Sequence, residues 1–466
     1  MRSLPFLAVL PLLLSACGMA GPDYHMPDHA IAITPEAARP FSAATGDSFS
    51  PEALPDKWWR LYNDPTLGGL VEEALAANTD LRAADANLRR AAALTEQTIA
   101  GRRLSTTISG GVDLSRPSST GYSLPGIMGY DAGITAGLPI DLSGRIARAI
   151  EASRADEDAV RAARDDVRVA VTAAVTRAYA AVCAANHSLA VNRAVVSLQG
   201  KTLDATRRLQ QGGRGTAFDV TRAQAAVDQS EASLPAFEAQ RQANLFLIAT
   251  LLGKVPSDYP RAIADCARIP SLSAPLPTGD GAALIRRRPD IRAAERRLAA
   301  DTALIGVATA DLYPQISIGG SLGLSGPLKS FGSGDSFGLS LGPLLSWSFP
   351  NRPVVKAKIA AAGAQAEADA ALFDSTVLNA LRETETTLST YTHDRDRATA
   401  LAKARDSAAR AADQADRLFR FGRSGFLDLL SAQASLAQAE ATLAAAHGTL
   451  IDDQVSIFLA LGGGWE

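Results

Sequence analysis

A chain of 466 residues is too long for a single compact core and points to more than one folding unit. Its formal net charge is −3, about −4 once residues 1–16 and their single Arg2 are removed, which excludes the basic surface that a nucleic-acid binder needs. Aromatic residues make up only 6% while alanine is abundant, a balance that favours long, closely packed helices over a bulky aromatic core.

Residues 1–16 read as a signal peptide. Arg2 supplies the positive start, and Leu4 to Leu14 form an apolar stretch too short to span a bilayer as a stable helix. Leu14-Ser15-Ala16-Cys17 resembles a bacterial lipobox, so Cys17 is expected to carry a covalent lipid; no other cofactor is expected. Gly18 in the next position favours sorting to the outer membrane. No later segment offers the ~18 consecutive apolar residues of a membrane helix, so any spanning structure must be a closed barrel of strands. Residues 17–65 form a tether, rich in Pro, Ala and Ser to about Pro55 and without periodicity. It ends at Trp58-Trp59-Arg60-Leu61-Tyr62-Asn63-Asp64-Pro65, where Asp64 can cap a helix and Pro65 can open it.

The first repeat covers residues 66–253. A helix is expected from Thr66 to Arg103, then a strand over 105–115 with Ile108, Val112 and Leu114 on one face. A Gly/Pro/Ser loop (Arg116 to Gly129) leads to a strand over 130–142. Its even positions, Ala132 to Leu142, are apolar, and Pro139 places its end near the sheet rim. Residues 144–211 contain no effective breaker and predict a helix of ~100 Å. Within it Val167, Val171, Ala174, Ala178, Ala181 and Ala185 step by four and three, a seam of small residues. Gly212-Gly213-Arg214-Gly215 reverses the chain into a return helix over 217–252, which Pro235 should kink. Residues 254–280 are a Pro-rich linker. Cys183 and Cys266 could pair in an oxidising compartment, but Cys183 falls mid-helix and reads as a small packing residue.

The plan then repeats over residues 281–466. A shift of 210 lays Asp80-Leu81-Arg82-Ala83-Ala84 on Asp290-Ile291-Arg292-Ala293-Ala294, and Ile108, Val112 and Leu114 on Ile318, Leu322 and Leu324. A shift of 209 lays Gly213-Arg214 and Asp219 on Gly422-Arg423 and Asp428. So constant an offset across helix, strand and turn marks an internal duplication. Strands are expected over 314–324 and 337–349, a second very long helix over 352–420, and a return helix over 426–461. In the first of these strands Ile316, Ile318, Leu322 and Leu324 oppose Gln315, Ser317, Gly319, Ser321 and Gly323; in the second, Leu344 interrupts the polar side. The fold class is mainly α with a membrane β-barrel sector. Four strands cannot close a barrel, and unpaired edges are not tolerated in hydrocarbon, so chains must associate.

Several stretches carry a family resemblance. They are Cys17 with Gly21-Pro22-Asp23-Tyr24, Trp58-Trp59 with Asp64-Pro65, Arg287-Arg288-Pro289-Asp290-Ile291, and Leu312-Tyr313-Pro314. Leu427-Asp428-Leu429-Leu430 with Ala432-Gln433 and the terminal Leu461-Gly462-Gly463-Gly464-Trp465 complete the set. In this order they resemble the TolC/OprM-type outer-membrane efflux proteins, in the lipoprotein branch labelled NodT-like. The resemblance implies a TolC-like homotrimer with a 12-stranded barrel, continued by a long α-helical periplasmic barrel. It also implies a periplasmic adaptor protein and an inner-membrane pump, of the RND class, as partners in exporting toxic small molecules. By the same resemblance the conduit closes at its periplasmic tips, with Asp428, Arg423 and Asp219 at the constriction. Gly212, Gly213, Arg214 and Gly215, and Gly422, Arg423, Ser424 and Gly425, would form the adaptor-docking tips. Ser431 departs from the pattern, where the branch often has a second Asp.

Each of these residues also has a plain structural reading. Asp219 and Asp428 follow helix reversals, where an acid stabilises a helix N-terminus. Arg286-Arg287-Arg288 reads as caps and surface ion pairs rather than an anion site. The five histidines show no metal-ligand spacing, and no nucleophile grouping or phosphate-binding loop is present, so an enzyme is not expected. The alternatives to an efflux conduit are an outer-membrane conduit for type I protein secretion and a lipid-anchored scaffold without a pore.

Overall fold

A computed structural model describes residues 19–116, 126–266, 268–272, 274–349 and 352–464, with the backbone alone at 118–119 and 122–123. The signal segment, Cys17 and Gly18 lie outside the described residues, as do Pro350, Asn351 and Trp465. In chain order the main elements are α1 (Pro65–Ala77), α2 (Thr79–Ala100), β1 (Ser105–Ser115), β2 (Ile127–Ile140), α3 (Arg145–Gln211), α4 (Ala217–Glu231) and α5 (Leu234–Leu251). The second half supplies α6 (Gly281–Arg287), α7 (Pro289–Ala310), β3 (Gln315–Pro327), β4 (Phe337–Ser346), α8 (Arg352–Arg420) and α9 (Phe426–Ala460).

The helix expected over 66–103 is two helices. Asn78 sits between them in an extended conformation, and its side-chain oxygen accepts from the Asp80 and Leu81 amides, capping the second helix. The second half breaks at the equivalent place. Arg288 is extended, and Pro289, with no amide hydrogen to donate, opens α7. The duplication therefore extends to an interruption that helix periodicity does not reveal. The return helix over 217–252 is also split, at Ala232–Ser233, with Pro235 in the first turn of α5. Position 444, the equivalent of 235, is alanine, and α9 runs unbroken. The strand expected over 130–142 lies over 127–140, that over 314–324 over 315–327, and that over 337–349 over 337–346.

The chain divides into two units. The first holds Asn87–Arg161, Ala293–Phe373 and the described residues up to Ala30. It contains a four-stranded antiparallel sheet in the order β1-β2-β3-β4, a short two-stranded pairing of 118–119 with 122–123, and the flanking portions of the helices. Its N-terminal segment is clasped by Arg148, whose side chain is only 2% exposed. That guanidinium donates to Asp23 (2.6 Å), Glu151 (2.7 Å) and the carbonyl of Ala20 (3.1 Å). Gly306 makes room for the clasp. A Cβ there would stand 2.6 Å from the Ala20 carbonyl oxygen and 2.7 Å from Arg148 Cγ, so only glycine fits.

The second unit holds Ile31–Ala86, Ala162–Arg292 and Asp374–Glu466. Trp58 stacks on Phe458 at 4.5 Å, and the Tyr62 hydroxyl donates to Gln454 (3.1 Å). Burying each such ring stabilises by about 1.5–3 kcal/mol. Asp64 caps α1 through the Thr66 and Leu67 amides and accepts the Tyr179 hydroxyl. The terminal glycines pack under the same aromatic group. A Cβ at Gly463 would meet Trp58 Cδ1 at 2.9 Å and Leu54 Cδ2 at 2.5 Å. The middle of α3 is apolar enough to cross a membrane by length and composition, but most of that window is buried inside the chain. One expectation is overturned here. Cys183 and Cys266 form a disulfide, with their Cα atoms 4.9 Å apart, and it fastens the 254–280 linker to α3.

Candidate functional site

The sheet is one surface with two chemistries. Its register pairs Ile108 with Ile134, Ile134 with Leu322 and Leu322 with Leu339, so apolar side chains share one face across all four strands. The other face pairs Thr107 with Thr135, Thr135 with Ser321 and Ser321 with Ser340, whose hydroxyls lie 2.7 Å apart. Asp113 and Asp131 also stand on the polar face, opposite Gly129 and Gly111. Each carboxylate lies across the facing glycine, where a Cβ would come within 2.7 and 2.9 Å of it. Apolar residues also stand on the polar side: Ile127, opposite Ser115 at the end of β2, and Leu344, which lies over Gly319 and leaves the backbone register intact. Apart from Tyr130, which packs against Phe331, the apolar face is largely uncovered. Ile108 and Leu341 are each 82% exposed, in a sheet where burial would have been the soluble-protein outcome.

The two helical reversals are copies of one motif. The Arg214 amide donates to the Leu209 carbonyl and the Arg423 amide to the Leu418 carbonyl, each at 2.8 Å. Gly213 and Gly422 take the left-handed conformation, with φ +71° and +68°, which closes each helix end as a Schellman turn. The aspartates then cap the return helices. Asp219 accepts from the Thr216 amide (3.0 Å) and hydroxyl (2.7 Å), while its own amide donates back to that hydroxyl (3.2 Å). These bonds hold the Asp219 carboxyl below the usual carboxylate range. Among the described residues Asp428 accepts only from the Gly425 amide (3.1 Å), because Gly425 has no side chain to reciprocate. The second turn is thus the less firmly capped of the pair.

All eight tip residues, Gly212, Gly213, Arg214, Gly215, Gly422, Arg423, Ser424 and Gly425, lie in these turns, and six of them are exposed. Arg423 is close to Asp428 in the chain, yet among the described residues no ion pair joins them. Phe421 is exposed beside Arg423, and Ser431, where a second acid would have stood, is also exposed. Behind the turns, Thr202 and Gln433 exchange buried hydrogen bonds between α3 and α9. The small-residue seam of α3 meets α9 along a groove of about 580 Å³, lined by Ala174, Ala178, Ala181, Ala444 and Gly448.

The arginine cluster is structural. Arg287 pairs with Asp56, and Arg288 pairs with Asp290 and Glu383 and donates to the Ala460 carbonyl.

Sequence reading missed two carboxylate pairs, because each joins residues far apart in the chain. Asp301 of α7 is pushed up by burial and by Asp369 of α8. Asp453 of α9 is pushed up to about 6 by burial and by the neighbouring Asp394 and Asp452, and one of its carboxylate oxygens is buried without a donor. Asp452 itself pairs with Arg177 at 2.7 Å, and Asp394 with Arg397 at 3.7 Å. A raised carboxyl binds its proton more tightly folded than unfolded, so its stabilising effect grows as pH falls from about 6 towards 4. Thermal melts should therefore show Asp453→Asn raising the midpoint at pH 7 but not at pH 4; equal shifts at both would place the effect elsewhere.

Comparison with known proteins agrees with this geometry. The sequence pattern of the outer membrane efflux protein family matches residues 70–254 and 282–463, one stretch in each repeat. Nodulation protein T of Rhizobium leguminosarum bv. trifolii is 30% identical over 470 residues, covering 98% of this chain and 96% of that protein. The pyoverdine export outer membrane protein OpmQ of Pseudomonas putida is 30% identical over 477 residues, covering 99% and 97%. Among solved structures, the outer-membrane channel OprN is 34% identical and superposes with a TM-score of 0.87, over 96% of this chain and 100% of that one. With a duplicated helix-strand plan, a two-faced four-stranded sheet and matches along both repeats, the chain belongs to the outer membrane efflux protein family.

Proposed function

We infer that this chain is the outer-membrane channel component of an efflux assembly: a passive conduit that receives small molecules from a pump and an adaptor and releases them outside. The observation that carries this reading is the unbroken register of the sheet, greasy on one face and hydroxyl- and glycine-lined on the other. Such a sheet can stand in hydrocarbon only if its β1 and β4 edges are paired. Two copies would give eight strands and an interior filled by side chains, whereas three give twelve and a water-filled bore. A homotrimer is therefore proposed. Hydroxyls and backbone on the inner face, with Asp113 and Asp131, suit passage of varied solutes rather than tight binding. The named export roles of OpmQ and of the toluene efflux pump protein TtgC support small-molecule cargo. An adaptor docking at the exposed turns, an RND-class pump and a lipid on Cys17 complete the proposal; the intact mass of the mature protein checks the lipid.

Asp428, with Arg423 and Asp219, is proposed to shape the closed constriction. Single-channel recording in planar bilayers tests both conduit and gate. Wild-type protein should form long-lived pores of low conductance. Asp428→Ala removes a cap worth about 1 kcal/mol, a roughly fivefold shift toward the open turn, so mean conductance should rise. Absence of any pore would overturn the conduit reading, and an unchanged closed level in the variant would remove Asp428 from the gate.

A further inference from the structure

Where the sheet gives way to helix, the first unit forms an open cavity of about 320 Å³ whose walls include Asp311, Tyr313, Trp347, Phe349, Arg352 and Val355. The Trp347 and Phe349 rings are 5.4 Å apart, and both, like Tyr313, are more than half exposed. They end the apolar face of β4. Three cations reach the cavity walls, and a fourth follows on α8. Arg145 and Lys358 share the single carboxylate of Asp311, at 3.3 and 3.2 Å. Arg352 lines the cavity, Lys356 follows one helical turn later, and among the described residues neither has a carboxylate partner. The first acid of α8 is Glu367, so nothing on that helix neutralises them locally.

A guanidinium without a carboxylate, set against aromatic rings at the edge of a greasy surface, matches a phosphodiester with hydrocarbon attached. Aromatic side chains at this depth pack against glycerol and the upper acyl chain, while Arg and Lys reach the headgroup. Free phosphate would satisfy the cations but leave the rings in water. We propose that this cavity binds the phosphate of an anionic glycerophospholipid in the periplasm-facing leaflet, with Arg352 and Lys356 as its ligands. The proposal rests on the membrane placement of the sheet argued above.

The test uses the full-length protein reconstituted in vesicles containing brominated phosphatidylglycerol or brominated phosphatidylcholine. Quenching of Trp347 is read as the difference from a Trp347→Phe protein. Phosphatidylglycerol should associate about five- to thirtyfold more strongly than phosphatidylcholine, the scale expected for one or two cations at an anionic surface. Arg352→Gln with Lys356→Gln should bring the ratio to about one while the sheet signal in circular dichroism is kept. Equal quenching by both lipids in the wild type, or a preference surviving both substitutions, overturns the site alone. A preference erased by millimolar inorganic phosphate overturns the lipid assignment. No quenching by either lipid overturns the site together with the membrane placement beneath it.

Discussion

Replacing Cys183 and Cys266 together by alanine is expected to destabilise the second unit by about 4–5 kcal/mol, the chain-entropy value for opening a loop of 83 residues. Most of what the bridge holds is irregular. Residues 254–280 bury few apolar groups, chiefly Ile263, Leu276 and the Leu252 that precedes them. Asn186 of α3 adds two bonds, to the carbonyls of Ala264 (2.8 Å) and Cys266 (2.9 Å), worth about 1 kcal/mol each. Those contacts are too few to hold an irregular segment against its own conformational entropy. The double variant should therefore show a lower guanidinium midpoint and proteolytic cleavage within 254–280. A midpoint within error of the oxidised wild type would mean that Asn186 and Ile263 suffice. The bridge also requires an oxidising compartment, in keeping with a segment on the periplasmic side of the outer membrane.

That the disulfide was illegible, while the sheet was not, follows from the physics of each. Period-two alternation in residues 316–324 is a local property, and the register that carries Ile108 through Ile134 and Leu322 to Leu339 follows from it. The helical turns were legible for the same reason, since Gly213 and Gly422 announce left-handed caps in their own sequence. Cys183 and Cys266 are joined by a fold that no window of sequence contains. The Arg148 clasp is of the same kind: Gly21-Pro22-Asp23-Tyr24 stood out as a motif, but its guanidinium partner lies 125 residues from Asp23. Strand ends moved by about three residues because pairing decides them. Ile127 joins β2 by facing Ser115, and Gly129 by facing both Asp113 and Pro327, whatever their own propensity. The break at Asn78 was missed because a cap and a helix interior look alike to periodicity. Pro289, one residue after the equivalent Arg288, held the signal that the duplication could have transferred back.

Leu341→Arg is expected to abolish assembly of the conduit. Leu341 lies mid-way along β4 on the apolar face, 82% exposed in the single chain. Against acyl chains a cation near the bilayer centre costs about 2–4 kcal/mol, and in the proposed homotrimer that penalty would be incurred three times, roughly 6–12 kcal/mol in all. Ser340→Lys, one residue away, points to the opposite face beside Ser321, where water would solvate it, and should assemble and conduct. The pair separates burial in lipid from a general intolerance of β4 to charge. Membrane fractionation and native gel mobility should show Leu341→Arg unassembled and Ser340→Lys indistinguishable from wild type. If both variants assembled equally, the apolar face would not be meeting hydrocarbon. If Ser340→Lys alone failed, the sheet would be inside out, with its hydroxyl face packed against something dry.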